Sequence, residues 1–270
     1  MENVVLISFF VFTILFVYRK RIIRSFRRNN SDTDMELDLF LQTHTEFYKT
    51  LPPKMKKRFK HRLPIFIDTH EFEGREGLSV TEEMKLLISS AAVHLTLGLS
   101  DYTLSDFNRI FIYPDVYYSQ FTKTTNRGET NQHGIITMAW PYVVDGFRDA
   151  TDKINLAYHE FAHALILQHV NTGLEDSMFV HGYELFCDKL FSENLSRKVE
   201  EMGLLREHAY ANKMEFFAAS TEFFLEAPEL LHNQCSELYY LMVRMLRQDP
   251  VHQFYGLTFT YINDGTNNPY

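Results

Sequence analysis

The chain has 270 residues, of which 45% are hydrophobic and 23% charged, so it can form one large globular domain or two small ones. The formal net charge is −8 and many of the basic residues lie near the N-terminus, so the rest of the chain is acidic and nucleic-acid binding is not expected. The two cysteines, Cys187 and Cys235, exclude a disulfide framework and a CxxC zinc motif, and they suit a reducing compartment.

The N-terminal residues predict a membrane anchor. An apolar run without charged residues, Val4–Tyr18, is followed directly by a basic block, Arg19–Arg28. Counted from Met1, the run approaches the roughly 17 to 25 residues that span a bilayer. A cleaved signal peptide is the alternative, but it requires positive charge before the run and small residues after it. The observed order predicts one uncleaved transmembrane helix in the inner membrane, with the rest of the chain facing the cytoplasm and the basic block on anionic headgroups.

The composition of the chain also suggests domain boundaries. We predict the anchor at residues 1–18, a basic juxtamembrane segment and linker at 19–49, a folded domain at 50–250 and a tail at 251–270. The linker interpretation depends on the polar and acidic stretch NNSDTDMELDLF.

The folded domain contains strand patterns followed by helical ones. A helix is predicted for LSVTEEMKLLISSAAVHLTLGL, with Ser79 and Glu82 as a capping box at its start. Strands are predicted for RIFIYP at 109–114 and GIITMAW at 134–140, with a polar loop between them. The pattern is helical for most of the chain after Gly146. Strands that precede helices, without βαβ alternation, predict an α+β domain.

The stretch LAYHEFAHAL carries a candidate metal site. His159 and His163 are four residues apart, so on a helix both imidazoles project from one face and can reach one Zn²⁺ ion. Glu160 lies beside the first histidine, where its carboxylate can take a proton from a water at the metal. This is the HExxH pattern of zinc peptidases, although the pattern can also arise by chance on an ordinary helix. The helix has three candidate capping residues, which are Asp149, Thr151 and Asp152.

A catalytic zinc ion also needs a third protein ligand and an open fourth position. The later stretch KMEFFAASTEFFLEAPELL predicts a helix with a stripe of three carboxylates, Glu215, Glu222 and Glu226. Carboxylates between phenylalanines are costly to bury unless they are paired or bound to a metal. One of them can be a ligand and another the partner of a ligand histidine. An amphipathic helix with a solvated acidic face is the alternative, and the spacing does not choose between Glu215 and Glu222.

The motifs taken together resemble the Mlc titration factor A family of bacterial zinc peptidases, which shares its active-site pattern with the catalytic domain of anthrax lethal factor. The resemblance covers about residues 50 to 250. Its main segments are LPPKMKKRFKHRLPIFIDTHEFEGREGLSVTEEMKLLI, RIFIYPDVY, GIITMAW, GFRDATDKINLAYHEFAHAL, EFFAASTEFFLEAPELL and LYYLMVRMLRQDP. The family pattern implies a zincin-like fold, with one zinc ion between the HExxH helix and a later glutamate helix.

The resemblance also implies a role for each matching residue. His159 and His163 match the two histidine ligands, Glu160 matches the catalytic base, and Glu215 matches the third ligand. Glu222 then becomes a candidate partner for a ligand histidine.

Two positions depart from the family pattern. The family tyrosine seven residues before the ligand glutamate is His208 here, so either His208 or the nearby Tyr210 is expected to stabilise the oxyanion. The family aspartate three residues after the second histidine is Ile166 here. Its absence removes a group that is expected to orient a ligand and thereby to strengthen metal binding.

These patterns favour a zinc-dependent peptidase that acts on a peptide or protein substrate. Residues 134–140 are either an edge strand that pairs with the substrate or an ordinary strand of the sheet. The alternative function is a zinc-stabilised protein with little catalysis that sequesters a transcriptional regulator at the membrane, which the resemblance also implies. The expected partners are therefore the substrate, the membrane and such a regulator, but no nucleic acid.

Overall fold

The computed structural model describes residues 31–171, 178–192 and 194–255. No helix in these parts of the chain is long and apolar enough to cross a bilayer. The predicted anchor, the basic block and residues 256–270 of the predicted tail lie outside the described residues. The anchor therefore stays a prediction.

The chain divides into two compact units, with the boundary between Thr43 and His44. The first unit contributes most of helix α1 (Ser31–His44), which occupies the acidic stretch that we expected to be a linker. The stretch contains leucine, glutamate and methionine, which are good helix formers.

The second unit combines helices with short strands. Its described helices are α2 (Glu46–Thr50), α3 (Pro53–Thr69), α4 (Glu82–Leu95), α5 (Trp140–Arg148), α6 (Leu156–Asn171), α7 (Met178–Ser192), α8 (Leu195–Glu201), α9 (Lys213–Glu226), α10 (Pro228–Gln234) and α11 (Ser236–Leu246). Its described strands are β1 (Glu71–Gly74), β2 (Arg109–Tyr113), β3 (Tyr117–Tyr118), β4 (Thr125–Asn126), β5 (Gly128–Asn131), β6 (Ile135–Ala139), β7 (Gln248–Asp249) and β8 (Phe254–Tyr255).

The main sheet of the described residues has four strands in the order β1-β2-β6-β5. The first three strands run parallel, and β5 pairs antiparallel with β6. Helix α4 connects the parallel strands β1 and β2, so the expectation of no βαβ unit was wrong. This unit was not predicted from the sequence because β1 is only four residues long and contains a single large apolar residue, Phe72. The prediction of a mixed fold of helices and strands is confirmed.

The expected edge strand is an interior strand. Residues 135–139 form β6, which lies between β2 and β5 and buries Ile136 and Met138. The edge strand next to β6 is β5, which comes from the stretch that we expected to be a polar loop. Polar strands of this kind occur at edges because one side of the strand remains open to water.

Helix α4 begins two residues later than the predicted capping box. Its cap is Thr81, whose hydroxyl accepts a hydrogen bond from the backbone N–H of Met84 (3.2 Å), so Ser79 is not the capping residue. At the other end the buried guanidinium of Arg62 donates to the carbonyls of Thr96 (2.9 Å) and Leu99 (2.8 Å). These contacts join α3, which carries Arg62, to the C-terminal end of α4.

Helix α6 is the centre of the second unit. It contacts β5 and β6 of the sheet, helix α4, and helix α9. Its residues Phe161, Ala162 and Leu165 are fully buried, as are Phe216, Phe217 and their neighbours on α9. A helix that is apolar around most of its circumference is typical of such a central position. The two helices that carry the predicted site are therefore fixed by the protein core.

Candidate metal centre

Helix α6 is capped by Asn155. The Asn155 side-chain oxygen accepts a hydrogen bond from the backbone N–H of Tyr158 (3.2 Å), and its backbone carbonyl accepts from His159 (3.0 Å). The three expected caps all precede the start of the helix. Asp149 and Asp152 instead accept hydrogen bonds from backbone N–H groups in the turns before it. The Asn155 amide also donates to the carbonyl of Gly146 (2.9 Å) and so joins the start of α6 to α5.

Helix α9 is capped in the same manner by Asn212. The Asn212 side-chain oxygen accepts from the backbone N–H groups of Met214 (2.9 Å) and Glu215 (3.0 Å). Satisfying these N–H groups fixes the first turn of the helix. Glu215 therefore has a defined backbone position opposite α6.

The three predicted metal ligands lie together in the structure. The Nε2 atoms of His159 and His163 are 3.1 Å apart. The Glu215 carboxylate lies 3.1 Å from Nε2 of His159 through one oxygen and 3.3 Å from Nε2 of His163 through the other. Ligand atoms of all three residues are within 4.8 Å of one another.

This arrangement fits a zinc ion. Tetrahedral zinc has bonds of about 2.0–2.1 Å to nitrogen and about 2.0–2.2 Å to carboxylate oxygen, which places neighbouring ligand atoms roughly 3.3 Å apart. Two imidazoles and one carboxylate are also the donor set of one class of catalytic zinc site, in which the fourth position stays open.

Glu222 holds His159 from the side opposite the cluster. The Nδ1–H group of His159 donates to Oε1 of Glu222 at 2.8 Å. The same carboxylate accepts from the backbone N–H of Asn155 (2.7 Å) and from the guanidinium of Arg206 (2.6 Å). Glu222 is only 1% exposed, and these bonds provide the pairing that a buried carboxylate needs. They direct Nε2 of His159 toward Glu215.

The carboxylates make the cluster attractive to cations. Burial disfavours a charged imidazole, but hydrogen bonds to Glu215 and Glu222 outweigh this effect and raise the pKa of His159 to about 10. Burial also opposes ionisation of Glu215, yet its hydrogen bonds with His159 and His163 bring the pKa of this carboxyl well below the usual range. The charge distribution that retains a proton here also favours a divalent cation.

Glu160 lies beside the cluster and contacts the edge strand. The hydroxyl of Thr130 donates to Oε2 of Glu160 at 2.8 Å. A Cβ atom placed on Gly128 would lie 2.3 Å from Oε1 of Glu160, so the glycine leaves room for the carboxylate in its observed position. Glu160 is 4% exposed, and burial raises the pKa of its carboxyl.

The two candidates for oxyanion stabilisation have different surroundings. Nε2 of His208 lies 3.2 Å from Oε2 of Glu215, and its side chain is 75% exposed. The ring of Tyr210 instead packs edge-on against Phe216, with 5.8 Å between the ring centroids. Of the two, His208 is the residue that the structure brings to the predicted ligands.

The isoleucine at position 166, where the family has an aspartate, is reflected in the surroundings of His163. Ile166 is buried, and the buried Nδ1 atom of His163 has no hydrogen-bond partner among the described residues. His159, in contrast, has Glu222 as its Nδ1 partner. The two histidines are therefore held unequally, and His163 depends more on packing for its orientation.

Several contributors to the site were missed in the sequence. Asn155 and Asn212 carry a recognisable signal, because asparagine before a helical pattern is a preferred cap. Thr130, Gly128 and Arg206 carry no comparable local signal. Their contacts with Glu160 and Glu222 join residues that are at least 16 positions apart in the chain.

Known proteins resemble this chain over most of its length. A family model described as glucose-regulated metallo-peptidase M90 matches residues 18–247. Mlc titration factor A of Serratia proteamaculans is 27% identical over 195 residues, which cover 65% of this chain and 73% of that protein. Mlc titration factor A of Yersinia pestis is 25% identical over 199 residues, which cover 65% and 71%. A Synechocystis protein designated "Uncharacterized protein slr2042" is 24% identical over 229 residues, covering 76% and 81%.

These matches confirm the resemblance on which the ligand assignment depended. The family model spans residues 18–247 of the 270 and thus includes both helices of the candidate metal centre. The chain therefore belongs to the glucose-regulated metallo-peptidase M90 family.

Proposed function

We propose that the protein is a zinc-dependent peptidase in which His159, His163 and Glu215 bind the zinc ion. The observation that carries this proposal is the convergence of their ligand atoms within 4.8 Å, next to a buried glutamate. When bound, zinc supplies a Lewis acid that makes water more acidic and polarises a peptide carbonyl.

Glu160 is the proposed general base. It follows the first ligand histidine in the chain, and the Thr130 hydroxyl holds one of its carboxylate oxygens at 2.8 Å. The other oxygen lies over the backbone of Gly128. A carboxylate fixed in this way can accept a proton from the attacking water and deliver it to the leaving amine.

The edge strand β5 is the proposed binding site for the peptide substrate. The Ala139 N–H group donates to the carbonyl of Arg127 (2.7 Å), and alternate residues of an antiparallel pair exchange such bonds. Glu129 and Asn131 therefore bond to β6, whereas the backbone groups of Gly128 and Thr130 face the edge that no described strand covers. An extended peptide can pair with these groups alongside Glu160.

The developing oxyanion needs a hydrogen-bond donor besides the metal. We propose His208 for this role, because its imidazole lies at the rim of the cluster and is largely exposed. Tyr210 is the second candidate, and it would have to leave its packing against Phe216.

The decisive experiment replaces Glu160 by glutamine in the purified protein. Glu160→Gln should bind zinc as the wild type does but lose peptide cleavage, because the amide cannot accept the proton. His163→Ala and Glu215→Ala should lose the bound zinc itself, measured by elemental analysis. Cleavage by Glu160→Gln at the wild-type rate would remove Glu160 from the role of base, and full zinc content in either ligand variant would contradict the ligand set.

A second candidate function is the sequestration of a transcriptional regulator. Two observations favour it. Relatives of the chain are named Mlc titration factor A, and His208 and Ile166 depart from the family pattern at the active site. Under this proposal zinc stabilises the fold and catalysis is weak or absent. Glu160→Gln should then leave both regulator binding and the cellular effect unchanged, whereas a peptidase that acts by cleavage should lose its cellular effect.

We also propose that residues 1–18 anchor the protein in the inner membrane and that the basic block binds anionic headgroups. Extraction of membranes with alkaline carbonate should leave the full chain in the pellet. Release of the intact chain into the supernatant would contradict the anchor.

A further inference from the structure

His208 lies on a short turn above the predicted zinc ligands. Its Nε2 atom is 3.2 Å from Oε2 of Glu215. The contacts among the three predicted ligands are 3.1, 3.1 and 3.3 Å long. His208 thus approaches the ligand carboxylate as closely as the two ligand histidines do.

The turn that carries His208 is also attached to the metal centre through the residue that precedes the turn. Arg206, which precedes the 3₁₀ turn Glu207–Tyr210, donates to Oε1 of Glu222 at 2.6 Å. Glu222 is in turn the partner of His159. This attachment keeps the His208 backbone close to the cluster while leaving its side chain free to change rotamer.

The side chain of His208 is not locked in place. It is 75% exposed, and it stands outside the group of three residues whose ligand atoms lie within 4.8 Å of one another. Binding the same metal ion as these three residues would therefore require the imidazole to rotate toward the two ligand nitrogens. Such rotations are fast and inexpensive for a surface side chain.

The chemistry of an imidazole differs from that of the tyrosine expected at this position. A neutral imidazole nitrogen is a common zinc ligand, whereas a neutral phenol is a weak one. Zinc with four protein ligands is typical of closed, structural sites, and zinc with three ligands and an open position is typical of catalytic sites. The residue at position 208 can therefore decide which type of site this is.

We propose that His208 is a displaceable fourth zinc ligand, which closes the metal site in the resting protein and leaves when a substrate group takes its position. This inference rests on the proposed zinc site and extends it. Once displaced, the imidazole is still near enough to serve as the oxyanion donor. The resting protein is thereby protected against both metal loss and unwanted hydrolysis.

X-ray absorption spectroscopy of the zinc-loaded full chain tests the proposal by counting imidazole ligands. The wild type should show three imidazoles, and His208→Ala and His208→Tyr should show two. His133→Ala, which removes an exposed histidine elsewhere in the chain, is the matched control and should retain three. Competition with a chelator should show zinc bound at least about tenfold more weakly by His208→Ala, since losing a ligand should cost no less than losing a residue that orients one.

Acetohydroxamate, a small bidentate zinc ligand, tests displacement. Its addition should reduce the imidazole count of the wild type from three to two. A count that stays at three would make His208 a fixed ligand and overturn displacement.

The outcomes separate this inference from the proposed function. Two imidazoles in a wild-type protein that cleaves peptides would overturn the proposal that His208 is a fourth ligand, but the proposed peptidase function would remain supported. Three imidazoles in a protein that cleaves no peptide would support the fourth ligand and overturn the peptidase. A full chain that binds no zinc after reconstitution would overturn both.

Discussion

Gly128 provides a test of how precisely the base must be placed. In the structure a Cβ atom on Gly128 would lie 2.3 Å from Oε1 of Glu160 and 2.7 Å from Cδ1 of Leu156. Ordinary van der Waals contact begins at 3.4 Å, so the Glu160 carboxylate must move by about 1 Å in Gly128→Ala. Both contacted atoms are ends of flexible side chains, and we expect them to give way while the strand backbone stays in place.

The displacement should affect catalysis much more than stability. A misplacement of about 1 Å can reduce a rate by about 10²-fold, which corresponds to about 2.7 kcal/mol of transition-state stabilisation. Weakening the Thr130–Glu160 hydrogen bond costs about 1 kcal/mol of folding free energy. The lower entropy of alanine in the unfolded chain offsets about 0.5–1 kcal/mol of this loss. The net change in the free energy of unfolding should stay below about 1 kcal/mol.

The assay compares kcat/KM for a peptide that the wild type cleaves, together with zinc content and urea unfolding. Gly128→Ala should lose about two orders of magnitude in kcat/KM and retain its zinc. Gly182→Ala is the control, because a Cβ atom there meets its nearest neighbour, Sδ of Met245, at an ordinary 3.5 Å. A Gly128→Ala protein with kcat/KM within twofold of the wild type would refute the placement of the base against this strand.

Two further predictions concern zinc affinity and pH. Glu222→Ala removes the Nδ1 partner of His159 and should weaken zinc binding by about 10–100-fold in competition with a chelator; wild-type affinity would contradict the orienting role. Burial lowers the pKa of His70 to about 4 and that of His94 to about 3. Below about pH 6.5 the unfolded chain therefore binds protons that these folded-state histidines do not, and the two histidines together should lower the free energy of unfolding by about 3 kcal/mol between pH 6.5 and pH 5. Burial raises the pKa of Glu226 to about 8, and this carboxyl contributes in the opposite direction over the same range. His70→Asn should remove about half of the histidine contribution when urea titrations at pH 6.5 and pH 5 are compared with the wild type, and an unchanged pH dependence would contradict the assignment.

The sequence alone determined the features that depend on local geometry. His159 and His163 share a helix face because they are one turn apart, and the 3.1 Å between their Nε2 atoms agrees with that expectation. The mixed fold and the later glutamate helix also follow from patterns within short windows. The local signal was weakest where strands are short or polar, so β1 and β5 were missed.

Tertiary structure alone decided how distant residues combine. Glu215 and Glu222 share one face of α9, and spacing could not distinguish them. Packing of α9 against α6 places Glu215 at Nε2 of His159 and Glu222 at Nδ1 of the same ring. The contact of Glu160 with β5 likewise depends on the order of strands in the sheet. A helical or alternating pattern reveals which face of an element is buried, but only the packed core fixes which element that face meets.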